Sequence, residues 1–582
     1  MRLCSSKDVG QRRWMWVLPC SFLLLVGAVS LLCLVPPVSR DALVHHLNLP
    51  KLYLQYGEMV EFPSMPFSYF PMNLDLLFMI PLWLGNDIAP KFIHFGFALL
   101  TAWLIHGYLK PRLGRPYAWL GALFFLSIPI IVKLSITVYV DLGLVFFSTA
   151  ALLLLFRWVE AGFRWPLLAA SAVCCGLAMG TKYNGLVVCF LLTAFVPCLY
   201  SAMQKRGGRL FWKPIGLGIL YLALALAVFS PWMIRNWQLK QNPVYPLYNR
   251  VFHPPKAPAA AKTNHREPRT PKGIFAFRSI VYGESEWQML LLPVRIFFEG
   301  RDGDAQHFDG KLTPFLLGLA ILGLMGGGAV SARREVAGAD QSGAAAWQTR
   351  QKWMLLAFCV LYFLFALFSR VLRMRYLVPM VPPLVILSVF GMKNGMDMLA
   401  GVLLRERRCL ANIAGAAVLA VCFGLNLHYL WAQFRVVDPL AYLSGRISRE
   451  DYITRYRPEY PVMRYANTHL PADARVLFVF MGKRGYYLDR PYRLDGAGRA
   501  SLLMRTVLRS HTPEEIAAGL HAAGITHMML QTDIFNRWVA EDFEGEKQAL
   551  FKSFLGRYTQ LLHTHHVFAL VALSPGGSAG SG

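Results

Sequence analysis

The chain has 582 residues, of which 55% are hydrophobic and only 16% carry a charged side chain. This composition is far from that of a soluble domain and is typical of a protein that lies mostly in lipid. The net charge of +26 favours an anionic partner such as lipid phosphate. Nucleic acid is a poor alternative, because the sequence shows no basic recognition fold interleaved with aromatic residues.

Apolar runs that are each about long enough to cross a membrane core of roughly 30 Å recur along the chain. The first run is too long for a cleaved signal sequence and lacks a clear cleavage site, so we predict a retained anchor. The sequence predicts about 11 spans, at 14–35, 88–109, 117–132, 138–158, 165–180, 185–200, 214–234, 312–331, 353–368, 376–392 and 409–431.

Lys and Arg cluster in the short connections that should remain in the cytoplasm. Arg12 and Arg13 precede the first span and place the N-terminus inside. The later loops alternate consistently between the two sides of the membrane only if the apolar segment 72–84 lies along the membrane surface instead of crossing it. This topology places four segments outside, at 36–91, 235–311, 369–375 and from 432 to the C-terminus.

The first outer segment, 36–91, has the pattern of a surface helix. Apolar residues from Ala42 to Tyr56 recur near helical spacing, and Gly57 is predicted to end the helix. Together with the interfacial segment 72–84, this helix would hold Asp41 near the bilayer surface.

The second outer loop, 235–311, divides by composition. Its stretch 254–272 is rich in Pro, Ala and Lys and is predicted to be mobile. The later part, 275–308, carries aromatic and acidic residues and is predicted to be ordered over a site.

The segment 432–574 is predicted to be an extracytoplasmic α/β domain that follows a transmembrane catalytic domain at 1–431. The runs 475–480, 525–530 and 568–573 are typical of strands, and Thr512 is predicted to open a helix through a capping box. The Gly- and Ser-rich tail at 575–582 is predicted to be disordered.

Two acidic residues are candidates for chemistry at the outer ends of spans. Asp41 follows the first span and Asp141 lies at the outer end of a later one, so the predicted topology brings both carboxylates to the same membrane face. The alternative for each is a carboxylate that is merely solvated at a span end.

Basic residues in two outer turns depart from the cytoplasmic bias. Lys182 is one, and a buried ammonium costs about 2.5–3.5 kcal/mol at mid-membrane unless an anion compensates it. Arg370, Arg373 and Arg375 lie in the other turn, and guanidinium groups bind phosphate oxygens in a bidentate manner. These residues predict a phosphate pocket, and the alternative is interfacial anchoring of the neighbouring spans.

His45 and His46 follow Asp41 closely and leave three interpretations open. Adjacent side chains on a helix point about 100° apart, so only one imidazole is expected to face a site. That imidazole could bind a substrate, pack at the interface or bind a divalent metal. No Ser-His-Asp signature, Walker loop, H-E-x-x-H or dinucleotide motif is present, so no cofactor and no metal ligand is assigned.

Short motifs follow one another in a fixed order between residues 15 and 431. They are Arg40-Asp41-Ala42-Leu43-Val44-His45-His46-Leu47, Lys51-Leu52-Tyr53, Phe70-Pro71, Val140-Asp141, Gly180-Thr181-Lys182-Tyr183-Asn184-Gly185, Asn242-Pro243-Val244-Tyr245-Pro246 and Arg373-Met374-Arg375-Tyr376. As an ordered set they resemble the GT-C superfamily of integral membrane glycosyltransferases. The resemblance is strongest to bacterial relatives of protein O-mannosyltransferases and of the lipid A aminoarabinose transferase.

The resemblance implies an inverting hexosyl- or pentosyltransferase in a bacterial inner membrane, with its C-terminal domain on the periplasmic side. The donor would be a polyprenyl-phosphate sugar and the acceptor a hydroxyl of a lipid, glycan or protein. It implies that Asp41 is the general base and Asp141 a second acid at the site. Lys182 and one or more of Arg370, Arg373 and Arg375 would hold the leaving phosphate, and His45, His46, Tyr245 and Tyr376 would contact substrate.

Other functions fit parts of the sequence. A ligase or polymerase of lipid-linked oligosaccharides could use the same membrane face and the same cations. A transporter would need charges near mid-span and a pseudo-symmetric repeat, and neither is visible. A membrane sensor fits the topology but leaves the outer carboxylates without a role.

Overall fold

The computed structural model describes residues 6–203, 212–254, 273–325, 339–367, 371–402 and 408–574. The chain divides into two compact units. The first comprises Met1–Leu34, Tyr69–Leu77 and Pro90–Pro439, and the second comprises Val35–Ser68, Phe78–Ala89 and Leu440–Gly582. Most of the first outer segment therefore groups with the C-terminal residues. The predicted tail at 575–582 and the predicted mobile stretch, from residue 255 on, lie outside the described residues.

The N-terminal half of the chain is helical almost throughout. Its helices are α1 (Ser6–Cys33), α2 (Asn48–Tyr56), α3 (Asn73–Trp83), α4 (Ala89–Leu113), α5 (Arg115–Ser127), α6 (Pro129–Ser135), α7 (Asp141–Glu160), α8 (Trp165–Thr181), α9 (Gly185–Met203), α10 (Trp212–Lys240) and α11 (Asn249–Phe252), with a π-helix at Ala42–His46 and a 3-10 helix at Pro66–Tyr69.

Helices continue to residue 437. They are α12 (Ile274–Tyr282), α13 (Glu286–Leu290), α14 (Leu292–Phe298), α15 (Phe315–Met325), α16 (Ala339–Ala366), α17 (Met374–Leu377), α18 (Val381–Val402) and α19 (Arg408–Val437), with a 3-10 helix at Val378–Met380.

A helix overlaps the described part of each predicted span. Among the described residues, 7 helices are long and apolar enough to cross a membrane, or up to 8 if α5 and α6 form one span bent by 66°. The bend follows from sequence, because Pro129 begins α6 and forces the preceding Ile128 into an extended conformation. The other predicted spans correspond to α8, α15 and α16, of which the first two are short. The prediction of a multi-pass helical membrane protein is confirmed.

Glycine permits close helix crossings in the first unit. A Cβ added at Gly391 of α18 would overlap the Leu319 carbonyl of α15, and one at Gly323 would overlap the Leu387 carbonyl. Lipid offers helices no hydrophobic drive to associate, so such backbone approach supplies packing that larger residues would prevent.

The C-terminal part of the second unit is an α/β domain, as predicted. Its helices are α20 (Pro439–Leu443), α21 (Arg449–Tyr456), α22 (Tyr460–His469), α23 (Leu502–Arg509), α24 (Pro513–Ala522), α25 (Thr532–Asp542) and α26 (Gly545–Tyr558). Its strands are β1 (Val476–Val479), β2 (Tyr492–Leu494), β3 (His527–Gln531), β4 (Thr559–His565) and β5 (Phe568–Leu573).

One sheet joins the five strands in the order β2-β1-β3-β5-β4. Strand β1 runs parallel to β2 and β3, and β5 runs antiparallel to β3 and β4. A core that includes Leu477, Leu503 and Phe551 packs one face of the sheet against helices. The Thr512 hydroxyl accepts from the Glu515 amide, as predicted for the start of α24, whereas the Glu515 carboxylate accepts from the amide of His511 rather than of Thr512.

Helix α2 is joined to the C-terminal residues of the second unit by its polar face. The Lys51 ammonium donates to the carbonyls of Tyr486 (2.7 Å) and Leu488 (3.0 Å) and to the carboxylate of Asp489 (2.7 Å). Burial lowers the pKa of Lys51, and the contact with Asp489 opposes that effect. Gly57 ends α2 at a φ of 74°, in agreement with the predicted stop.

Candidate active site

A buried ion pair lies at the junction of three helices in the first unit. Asp141 is the first residue of α7, and Lys182 lies in the turn between α8 and α9. The Lys182 Nζ is 2.6 Å from Asp141 Oδ1, and the side chains are 19% and 1% exposed. Within the described residues, Asp141 Oδ2 is buried without a hydrogen-bond partner. One oxygen of the Asp141 carboxylate thus compensates the charge of the Lys182 ammonium, and the other oxygen remains available to accept a hydrogen bond.

Glycine residues allow the Lys182 turn to form. A Cβ at Gly180 would overlap the Asn73 side chain, and a Cβ at Gly185 would overlap the backbone of Ala178. The Asn73 carbonyl oxygen in turn accepts from the Trp232 indole at 2.8 Å. The turn is therefore held by close packing on both sides.

An aromatic and cationic group surrounds the pair. The Lys182 Nζ lies 5.3 Å from the ring centre of Tyr376. The Arg375 guanidinium lies 5.4 Å from that ring and 5.3 Å from the ring of Tyr139. These distances are in the range of cation–π contacts, which orient the cations without neutralising them. Of the predicted site residues, the structure thus brings together Asp141, Lys182, Arg375 and Tyr376.

Arg373 faces a different cluster. Its Nη1 is 3.8 Å from Asp309 Oδ2, and Asp309 also pairs with Lys133 at 3.0 Å. Lys133 in turn pairs with Asp302 at 3.2 Å, so the cluster links α6 to the loop before α15. Arg370 lies outside the described residues.

Tyr245 is tied to the Lys182 turn through its backbone. Its carbonyl accepts from the Tyr183 hydroxyl at 2.7 Å, and its ring lies edge-on to Tyr69 at 4.9 Å. The Asn236 amide donates to the Tyr69 carbonyl (2.8 Å) and to the Tyr183 hydroxyl (3.1 Å). Burial raises the pKa of Tyr183, which therefore acts as a neutral hydrogen-bonding group. The peptide bond between Tyr245 and Pro246 is cis.

His94, which is not among the predicted site residues, fixes the start of α7. The buried imidazole accepts from the Leu142 amide at Nε2 (2.9 Å). Its Nδ1 donates to the carbonyls of Leu134 and Thr137, each at 3.0 Å. A nitrogen that accepts from an amide carries no proton, so the ring is the neutral Nδ1–H tautomer. The sequence does contain a signal for this role, because His94 is a polar residue inside an otherwise apolar span.

The segment 273–311 is attached to the Arg375 turn. Glu284 accepts from Arg278 through two bonds of 2.6 Å and from Arg295 at 3.1 Å. The Phe308 ring lies 5.0 Å from the Arg278 guanidinium, and its carbonyl accepts from the Met374 amide at 2.6 Å. Residues 274–298 form α12, α13 and α14, and Met374 directly precedes Arg375.

Asp41, His45 and His46 belong to the second unit. Asp41 is half-buried and directly precedes the π-helix that contains both histidines. The two imidazole centres are 4.0 Å apart, and His45 stacks on Phe67 at 4.2 Å. Within the described residues, no group of three His, Cys, Asp or Glu side chains could hold a metal ion.

The sequence of this region matches a known family. Residues 85–235 match the family model described as dolichyl-phosphate-mannose-protein mannosyltransferase. The matched range includes His94, Asp141 and Lys182. No curated protein sequence matches the chain.

Solved structures share the fold of nearly the whole chain. ArnT from Cupriavidus metallidurans in the apo state is 13% identical, with a TM-score of 0.55 over 97% of this chain and 99% of that one. ArnT from the same organism bound to undecaprenyl phosphate is 14% identical, with a TM-score of 0.52 over 96% of this chain and 98% of that one. The arabinofuranosyltransferase AftD from Mycobacteria is 13% identical, with a TM-score of 0.51 over 97% of this chain and 40% of that one.

These neighbours are GT-C glycosyltransferases with a helical membrane domain. The predicted fold class is therefore confirmed, including the small C-terminal sheet domain. The chain shares the fold of these structures, and the predicted resemblance to membrane glycosyltransferases is confirmed.

Proposed function

We propose that the chain is an inverting glycosyltransferase that moves one sugar from a polyprenyl-phosphate donor to a hydroxyl of a lipid, glycan or protein acceptor. The observation that carries the proposal is the Asp141–Lys182 pair, with Arg375 beside it, in a fold shared with ArnT bound to undecaprenyl phosphate. The matching family model, whose description names a lipid-phosphate sugar, supports the same donor class.

The charges of this group suit a phosphate leaving group. Lys182 and Arg375 bring two positive charges to the group that contains the Asp141 carboxylate. A polyprenyl-phosphate sugar carries one negative charge, and breaking the bond between the anomeric carbon and the phosphate oxygen adds another. Cations fixed before the reaction stabilise this developing charge more than the ground state and so lower the barrier.

The acceptor oxygen forms the new bond to the anomeric carbon and loses its proton. We assign Asp41 as the base that takes this proton, since a carboxylate does so when it lies within about 2.6–3.2 Å of the hydroxyl. Asp141 Oδ2, which has no partner among the described residues, would accept a hydrogen bond from a substrate hydroxyl. Tyr376 orients the Lys182 ammonium, and His45, His46 and Tyr245 are the proposed substrate contacts.

The proposed location is a bacterial inner membrane with the α/β domain on the periplasmic side. The Lys and Arg bias of the short connections and the multi-pass architecture support this orientation. A long-tailed donor would enter laterally from lipid, so reaction at the outer membrane surface is consistent with the span-end positions of Asp41 and Asp141.

Mass analysis of surface lipids, glycans and proteins from a strain that lacks the chain tests the function. We expect one acceptor to lose the mass of a single pentose or hexose, restored by the wild-type chain and not by Asp41→Asn. Loss of a whole oligosaccharide would indicate a ligase or polymerase instead. An unchanged profile would reject the transferase.

A further inference from the structure

The second unit contains a cleft that the proposed mechanism does not use. Its volume is about 580 Å³. One wall is the exposed side of α2 with the loop that follows it, and the other is formed by residues at the start of β1 and β2. Polar and aromatic side chains from both walls line it.

Two arginines on neighbouring strands face this cleft. Arg475 directly precedes β1 and Arg493 lies in β2, where it is paired with Leu477. Side chains alternate along a strand, so Arg475 is on the same face as Leu477 and Arg493. A strand rise of ~3.3 Å and a spacing of ~4.8 Å place the two Cα atoms about 8 Å apart. Both arginines line the cleft, so an anion bound there would meet positive charge from two neighbouring segments.

Arg475 and Arg493 are both exposed. Neither Arg475 nor Arg493 forms an ion pair or a side-chain hydrogen bond with any residue of the described ranges. The Arg475 guanidinium lies over the Gly524 backbone, where a Cβ would come within 3.3 Å of it. Glycine at this position thus gives the guanidinium room beside the cleft.

The remaining charges of the lining do not neutralise these arginines. Arg490 donates to the carbonyls of Leu470 and Asn467, each at 2.7 Å, which carry no formal charge. The carboxylate of Asp489 is paired with Lys51 at 2.7 Å. The cleft therefore carries a net positive charge, and an anion would be attracted to it.

The wall formed by α2 supplies groups that recognise sugars. Tyr56 is 58% exposed, and its ring lies edge-on to Phe62 at 5.8 Å. Gln55 and Ser64, both exposed, add an amide and a hydroxyl. An aromatic face packs against the apolar side of a sugar ring while polar groups fix its hydroxyls. Guanidinium forks bind phosphate or carboxylate oxygens.

We propose that this cleft binds a saccharide that carries a phosphate or carboxylate group. The further assignment of that saccharide to the acceptor of the transfer rests on the proposed function. The binding of the saccharide does not rest on the proposed function, because it requires neither the donor nor turnover.

Saturation-transfer NMR on the full chain in nanodiscs tests the binding with glucose 6-phosphate, glucuronate, glucose and inorganic phosphate as probes. At least one anionic sugar should bind at least tenfold more tightly than glucose or phosphate. The Arg475→Gln/Arg493→Gln variant should lose that preference, whereas Arg537→Gln, at another exposed arginine of the same domain, should keep it. Equal binding of glucose or phosphate, or an unchanged double variant, would overturn the proposal.

Turnover separates this proposal from the proposed function. The Asp41→Asn variant should bind the anionic sugar as the wild type does. With the acceptor that the mass analysis identifies, the double arginine variant should raise the KM for acceptor at least tenfold with kcat within about twofold. An unchanged KM would show that the bound saccharide is not the acceptor. Absence of transfer by the wild-type chain would reject the proposed transferase function but would leave the binding result unaffected.

Discussion

At the scale of single residues, the Asp141–Lys182 pair is costly to bury. Removing two charges from water requires several kcal/mol per ion, and their attraction returns this only with good geometry. The pair has the short contact of 2.6 Å on one carboxylate oxygen, and the other oxygen has no partner among the described residues. An incompletely satisfied pair of this kind suits a substrate site better than a purely structural one.

Removing one member should destabilise the protein more than removing both. Lys182→Met removes the ion-pair partner of the buried Asp141 carboxylate, so the free energy of unfolding should fall on the order of 3 kcal/mol. Lys182→Met/Asp141→Leu should recover part of that loss while remaining inactive. Thermal unfolding of the purified variants measures this. A double variant no more stable than Lys182→Met would contradict the assignment of the pair.

Arg375 and Arg373 form a matched comparison for phosphate binding. Arg375 lies near the same Tyr376 ring as the Lys182 ammonium, whereas Arg373 is 3.8 Å from the Asp309 carboxylate. Arg375→Gln should lower kcat/KM for the donor by roughly 10²-fold, the typical effect of removing one charge-stabilising donor. Arg373→Gln should have a much smaller effect. Equal losses in donor titrations of the two variants would show that both guanidinium groups hold the phosphate.

At the scale of elements, buried ion pairs hold together the loop 273–313. Arg278, Glu284 and Arg295 join α12 to α14, and Phe308 connects this group to the Met374 amide. The loop therefore depends on the ionised form of one carboxylate. Burial raises the pKa of Glu284, but the bonds from both arginines outweigh it and hold the pKa below the ordinary value of 4.5.

This loop should loosen in acid. Because the folded pKa of Glu284 is depressed, its stabilising contribution is complete above pH 4.5 and is lost as the pH falls through the folded value. Hydrogen exchange of 273–313 should accelerate below pH 4.5 relative to the same residues at pH 7, after correction for the intrinsic rate. Glu284→Gln should exchange faster at pH 7 and lose this pH dependence. Protection that is unchanged in acid would contradict the role of the carboxylate.

At the scale of the whole molecule, the sequence predicted the helices and part of the sheet. Apolar runs and Pro129 indicate the spans and the bend because lipid makes length and composition decisive. Strands β1, β3 and β5 were predicted from buried apolar runs. Strands β2 and β4 were missed, since β2 has three residues and β4 is a half-exposed edge strand.

The candidate site was only partly predictable for a similar reason. Span-end charges and motifs indicated Asp141, Lys182, Arg375 and Tyr376. His94 acts through backbone groups of the α6–α7 turn, and Asn236 acts through carbonyls of distant segments. The hydrogen-bond partners of these two residues depend on tertiary contacts, which the hydrophobic periodicity of the sequence does not predict. The grouping of Val35–Ser68 with the C-terminal residues was likewise not evident from the sequence.

The central claim is that Asp41 removes the acceptor proton while Lys182 and Arg375 stabilise the departing lipid phosphate, with inversion at the sugar. The most direct test is NMR of the product formed by the reconstituted full chain from an undecaprenyl-phosphate sugar of known anomeric configuration. The account predicts the opposite configuration in the product and loss of at least 10²-fold in rate for Asp41→Asn. Retained configuration, or undiminished turnover by that variant, would contradict it.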